Sequence, residues 1–102
     1  MKKVLVRYKV KADRAAENEN YITNVFEQLH REKPAGLHYA TFKLDDGVSF
    51  VHLVSVDGAD AHDPLPELSA FRAFVAEVRD RCEEPPVSSD LHEVGSYAFF
   101  GA

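Results

Sequence analysis

Residues 48–56 most constrain what this chain can become. Val48, Phe50, His52, Val54 and Val56 alternate with Ser49, Val51, Leu53 and Ser55, so both sides of one extended segment carry large apolar residues. Such a strand has to be covered on both faces. Cover for one face is visible downstream. Leu68, Phe71, Phe74, Val75, Val78 and Cys82 recur at steps of three and four, which puts them on one side of a helix. Glu67, Arg72, Ala73, Glu77, Arg79 and Asp80 take the other side. Pro66 suits a first helical turn, and Pro85-Pro86 is expected to end the element.

The other elements follow in order. Val4, Val6, Tyr8 and Val10 alternate with Lys3, Leu5, Arg7 and Lys9, which predicts a first strand. Asp13 is placed to cap a helix reaching about residue 31, with Asn18, Tyr21, Ile22, Val25, Phe26 and Leu29 along its buried stripe and Pro34 and Gly36 stopping it. Residues 37–44 read as a second strand, Asp45-Asp46-Gly47 as a hairpin turn into the third, and residues 91–100 as a fourth. The order β-α-β-β-α-β over residues 1–102 predicts one ferredoxin-like α+β domain: a four-stranded antiparallel sheet with two helices on one face.

The hairpin allows two registers. One places Leu44 opposite Ser49 and Phe42 opposite Val51. The other, with Gly47 left-handed in a three-residue turn, places Phe42 opposite Phe50 and Ala40 opposite His52. The second gathers Ala40, Phe42, Leu44, Val48, Phe50, Val54 and Val56 beneath the helices and is preferred on that ground. It leaves Leu37, Tyr39, Val51 and Leu53, with Leu5, as an apolar patch on the outer face. Patches of that kind mark interfaces, and pairing with a second copy is the commonest way to bury one. A homodimer through that face is the expectation.

Charge and cysteine content narrow the function classes. Twelve basic against seventeen acidic residues give a net charge of −5, without the basic footprint that nucleic-acid binding needs. A single cysteine makes no internal disulfide, and only three apolar residues separate Lys2-Lys3 from Arg7, too few for a signal peptide or a membrane span. The reading is a cytoplasmic protein with no membrane or nucleic-acid partner.

The run Leu68-Ser69-Ala70-Phe71-Arg72-Ala73-Phe74-Val75, after a strand ending in Val54-Ser55-Val56-Asp57, resembles the second helix of the antibiotic-biosynthesis-monooxygenase-like branch of the dimeric α/β-barrel superfamily. Arg81-Cys82-Glu83-Glu84-Pro85-Pro86-Val87 is similar to a subgroup of that branch. The resemblance implies a homodimer with a ligand cavity between helices and sheet. It further implies monooxygenase-like activity, cofactor-independent or haem-related, on an aromatic or otherwise apolar small molecule, or else a non-catalytic ligand-binding or scaffolding role. The chain has no tryptophan, a residue common in the cavity of the characterised oxygenases, and no catalytic residue is carried over from the branch.

The residues themselves nominate a site. His52 sits mid-strand on the helix-facing side, where an imidazole can serve as acid or base, and Tyr8 shares that side and is a candidate partner for it. These two are the catalytic candidates. His38, Phe50, Phe71 and Phe74 are the expected ligand-lining residues, and Tyr39 is expected at the dimer contact. Against this stands the plainer reading of a core histidine satisfied by a carbonyl or a tyrosine. No short-spaced metal motif occurs, and no metal or cofactor is called for. Cys82, at the C-terminal end of the second helix, reads as packing.

Overall fold

The computed structural model describes residues 2–58 and 62–99. β1 (Lys2–Val10) leads through a 3-10 turn at Ala12–Arg14 into α1 (Ala15–Glu32). The hairpin β2 (Leu37–Lys43) and β3 (Ser49–Val56) follows, then a second 3-10 turn (Leu65–Glu67), α2 (Ser69–Ala76), a single turn α3 (Val78–Arg81) and β4 (Cys82–Asp90). All neighbouring strands are antiparallel, in the order β2-β3-β1-β4. This is the ferredoxin-like arrangement. The helices share one face, over a core of Tyr8, Val10, Val25, Phe50, Leu65, Leu68, Phe74 and Val78.

Asp13 makes no capping bond; α1 simply continues from the 3-10 turn. Its end is as expected, with Lys33 left-handed at φ 47° and its N–H on the Leu29 carbonyl. The helix expected as one piece to Cys82 is broken at Glu77 (φ −127°, ψ 19°), and Val75, counted in its buried stripe, is 46% exposed. α2 has no capping side chain of its own. Gln28, buried in α1, supplies one: its Oε1 accepts the Ala70 N–H at 2.9 Å, while its Nε2 donates to Glu32 at 2.6 Å.

The fourth strand is not residues 91–100. It is Cys82–Asp90, and it includes the Pro85-Pro86 pair that was expected to end a helix. Prolines are tolerated because β4 is an edge strand and because the ladder slips between Arg7 and Lys9, opposite them. An edge strand with one solvated face needs few apolar residues, so its composition hid it. Cys82 opens this strand opposite Val10 instead of closing a helix. The pairing with β1 runs on for one more bond, from the Leu91 N–H to the Lys3 carbonyl, and Glu93 lies 3.9 Å from Lys3. Val94 and Tyr97 stand fully in solvent, and Phe100 lies outside the described residues.

The hairpin takes the register that was set aside. Leu37 pairs with Val56, Tyr39 with Val54, Thr41 with His52 and Phe42 with Val51. Gly47 is left-handed as expected (φ 77°), but Val48 belongs to the loop and not to the β2 ladder. The Asp46 carboxylate holds the loop by accepting the N–H groups of Val48 (3.0 Å) and Ser49 (2.8 Å) and the Ser49 hydroxyl. Those bonds pull its carboxyl down to about 2. The Val48 carbonyl is taken by the Val10 N–H of β1. Every side chain of β2 is therefore on the face opposite to the one expected. Leu37, Tyr39 and Thr41 lie under the helices. His38, Ala40 and Phe42 join Leu5, Val51 and Leu53 on the outer face, where Phe42 is 40% exposed.

Candidate functional site

The site is a run of polar side chains crossing the apolar core. They come from five different elements. β1 contributes Tyr8, α1 Asn18, β2 Tyr39 and Thr41, β3 His52, and the end of α3 Arg81. His52 is 4% exposed and Tyr8 3%. The Tyr8 hydroxyl lies 2.8 Å from His52 Nε2. The other ring nitrogen, Nδ1, lies 2.6 Å from the Tyr39 hydroxyl and 3.1 Å from Thr41 Oγ1. Asn18 Nδ2 donates to the Tyr8 oxygen at 2.9 Å, and Arg81 Nε donates to Asn18 Oδ1 at 3.1 Å.

Arg81 has no exposure at all and no carboxylate bonded to it among the described residues. Its charge is held by dipoles and rings. Nη2 donates to the Phe74 carbonyl at 2.8 Å, in the last turn of α2, where carbonyls run out of helical partners and the dipole is negative. The guanidinium also lies over the rings of Tyr21 (4.5 Å) and Phe74 (5.3 Å). Nη1 has no bonded partner among the described residues. The break at Glu77 lets α3 turn Arg81 back into the core, so the kink and the buried cation belong together.

Burial sets the protonation states. It pushes His52 down to about 4, so the imidazole is neutral at physiological pH. It pushes the Tyr8 phenol well above its ordinary value, against the opposing hydrogen bond from Asn18. Tyr39 rises to about 12, chiefly by burial, with Thr41 opposing and the charge of Asp63 adding. Both phenols are hydrogen-bond donors at neutral pH.

The expected ligand-lining residues divide. Phe50 and Phe74 are buried against Tyr8, with ring centroids 5.6 and 6.3 Å away, and Phe74 also meets His52 at 5.4 Å. Phe71 packs on Phe74 at 6.1 Å. His38 does not belong: the corrected register sends it to the outer face, paired with Asp57 at 3.1 Å. Tyr39, expected at the dimer contact, is inside, stacked on Phe26 at 5.1 Å. Sequence reasoning missed Tyr39, Thr41 and Arg81, and placed Asn18 only in the buried stripe of α1 without a role in the site. One signal for the first two was present, because a buried imidazole needs a partner on each nitrogen and Tyr8 supplies only one.

Two cavities lie near these residues. One of about 330 Å³ opens between the C-terminal half of α1 and β2, lined by Phe26, Leu29, His30, Lys33, Pro34, Leu37 and Tyr39. The other, about 440 Å³, lies on the outer face beneath the C-terminal segment, with Ala40, Leu53, Leu91 and Phe99 in its wall. His52 lines neither; Tyr39, its hydrogen-bond partner, is in the lining of both. No group of three or more His, Cys, Asp or Glu residues among the described residues could hold a metal ion, and no described helix is long and apolar enough to cross a membrane.

The sheet order and the two-helix layer define a ferredoxin-like α+β protein, with a buried polar run between helices and sheet. Among solved structures, its fold is that of the antibiotic-biosynthesis-monooxygenase-like proteins. An antibiotic biosynthesis monooxygenase superposes with a TM-score of 0.75 at 18% identity, over 93% of this chain and 100% of that one. Rv0793 from Mycobacterium tuberculosis gives 0.74 at 16%, over 93% and 96%. A variant of SnoaB, a cofactor-independent oxygenase from Streptomyces nogalater, gives 0.68 at 14%, over 93% and 94%. No family model and no curated protein matches the chain by sequence.

Proposed function

We propose that the protein is a monooxygenase-like enzyme of the cofactor-independent kind, acting on a small aromatic molecule held between α1 and β2. One observation carries the reading. Tyr39 walls the 330 Å³ cavity while its hydroxyl sits 2.6 Å from the buried, neutral His52. Of the groups in the polar run, Tyr39 is the one that meets the ligand; His52 and Tyr8 stand behind it. With its proton retained, Tyr39 donates to a carbonyl or phenolate oxygen, and Phe26 and Leu37 supply the apolar wall. Lys33 beside the cavity suits a ligand with an acidic oxygen. The shared fold with a cofactor-independent oxygenase supports the reaction class. The test is dioxygen uptake with a panel of electron-rich phenols and quinols. Tyr39→Phe should lower turnover by tenfold or more while leaving the fold intact. Uptake that is unchanged by Tyr39→Phe would refute the role of this site.

The second reading is a non-catalytic binding or scaffolding module. It is favoured by the filled surroundings of His52, which is closed in by Tyr8, Tyr39, Thr41 and Phe74. Calorimetric binding of the same phenols without any dioxygen uptake selects it.

In either reading we propose a homodimer through the outer face, now composed of Leu5, Ala40, Phe42, Val51 and Leu53 in place of the Leu37 and Tyr39 first assigned to it.

A further inference from the structure

Arg81 and Asn18 lie far along the polar run from the cavity, and neither has a role in the function proposed above. Their donor and acceptor chemistry is nonetheless one-directional. Arginine has five donors and no acceptor. Arg81 Nε therefore requires the oxygen of Asn18 on its side, and the Asn18 amide nitrogen must face Tyr8. The Tyr8 oxygen is then an acceptor from Asn18. Its own proton has one described acceptor left, His52 Nε2 at 2.8 Å. An imidazole that accepts at Nε2 and is neutral carries its hydrogen on Nδ1, and Nδ1 faces the Tyr39 and Thr41 hydroxyls. The Arg81–Asn18, Asn18–Tyr8 and Tyr8–His52 bonds that set this direction are all buried, where the low dielectric makes an unpaired or reversed polar group costly.

We infer that Arg81, acting through Asn18 and Tyr8, is a positioning residue that locks His52 as its Nδ1–H tautomer, so that Tyr39 accepts from His52 and keeps its own proton for a ligand oxygen acceptor. The ligand class follows: a carbonyl or phenolate oxygen fits Tyr39, and a group that can only donate does not. The last step rests on the proposed function; the tautomer does not.

The Asn18→Asp variant reverses the direction without changing shape. An aspartate between Arg81 and Tyr8 can only accept, so the Tyr8 proton turns toward residue 18. The Tyr8 oxygen then accepts from His52 Nε2–H, and Nδ1 becomes an acceptor. Histidine labelled with 15N, read through two-bond proton–nitrogen correlations at pH 7.5, distinguishes the two forms. The signal of His52 is the one missing in His52→Phe. The expected result is a protonated Nδ1 in the wild type and a protonated Nε2 in Asn18→Asp, with mixed forms in Arg81→Met. A wild-type His52 protonated on Nε2 overturns the inference without any variant having to fold. So does a folded Asn18→Asp that keeps Nδ1–H. Binding of 4-nitrophenolate should weaken about tenfold in Asn18→Asp, the worth of one hydrogen bond. Equal binding with a reversed tautomer overturns the link to the ligand. Failure of the wild type to bind the probe, with the tautomers as stated, counts against the proposed function and leaves the positioning role standing.

Discussion

At His52 the cost of burying a charge becomes a pH dependence. The free imidazole takes a proton near 6.5, and in the fold it does so only at about 4. Between those values the unfolded chain binds the proton and the folded chain does not. The contribution of His52 to the unfolding free energy therefore rises with pH through this window, is fully present above 6.5, and is lost as the pH falls toward 4. The gap corresponds to about 3 kcal/mol. Urea titrations at a series of pH values should show that slope in the wild type and lack it in His52→Phe. The same substitution should lower stability at neutral pH by about 2 kcal/mol, because it removes partners from the buried Tyr8 and Tyr39 hydroxyls. A phenylalanine that stabilises the protein at pH 7 would show that these hydroxyls find other partners.

At the scale of elements, tertiary partners complete what the local sequence leaves open. α2 is eight residues long and has no cap of its own, so its first turn depends on Gln28 from α1. Replacing Gln28 with Ala should cost about 1–2 kcal/mol. It should also speed amide exchange at Ala70 more than at residues in the middle of α1. Equal exchange at both would refute the capping role. The hairpin is governed in the same way. Asp46 and the N–H of Val10 hold Val48 in the loop, and Thr41 opposite His52 fixes which face of β2 turns inward. The apolar count favoured the other register. It lost because His52 Nδ1 needs hydroxyls beside it, and leaving a buried polar atom unpaired costs more than exposing Phe42.

For the whole molecule, the outer face is where the proposed homodimer is tested. Leu5, Val51 and Leu53 form its centre, with Phe42 at one side and the segment 91–99 crossing part of it. The two-fold contact proposed above would bury these residues. Sedimentation at micromolar concentration should give a dimer for the wild type and a monomer for Leu53→Glu, whose helix-side core is untouched. A wild type that sediments as a monomer would end the dimer proposal and leave the site between α1 and β2 as it is.

The sequence alone was enough for the element order, the two-helix layer and the meeting of Tyr8 with His52. Periodicity and turn residues are local signals, and β1 and β3 alternate strictly enough to place both side chains on one face. It did not reveal β4, whose edge position frees it from apolar demands, or the break at Glu77. Nor did it reveal the inward turn of Tyr39 and Thr41, or Arg81 at the far end of the polar run. Those were decided in three dimensions, because a buried donor or acceptor is satisfied by whatever the fold brings within about 3 Å, regardless of its distance along the chain.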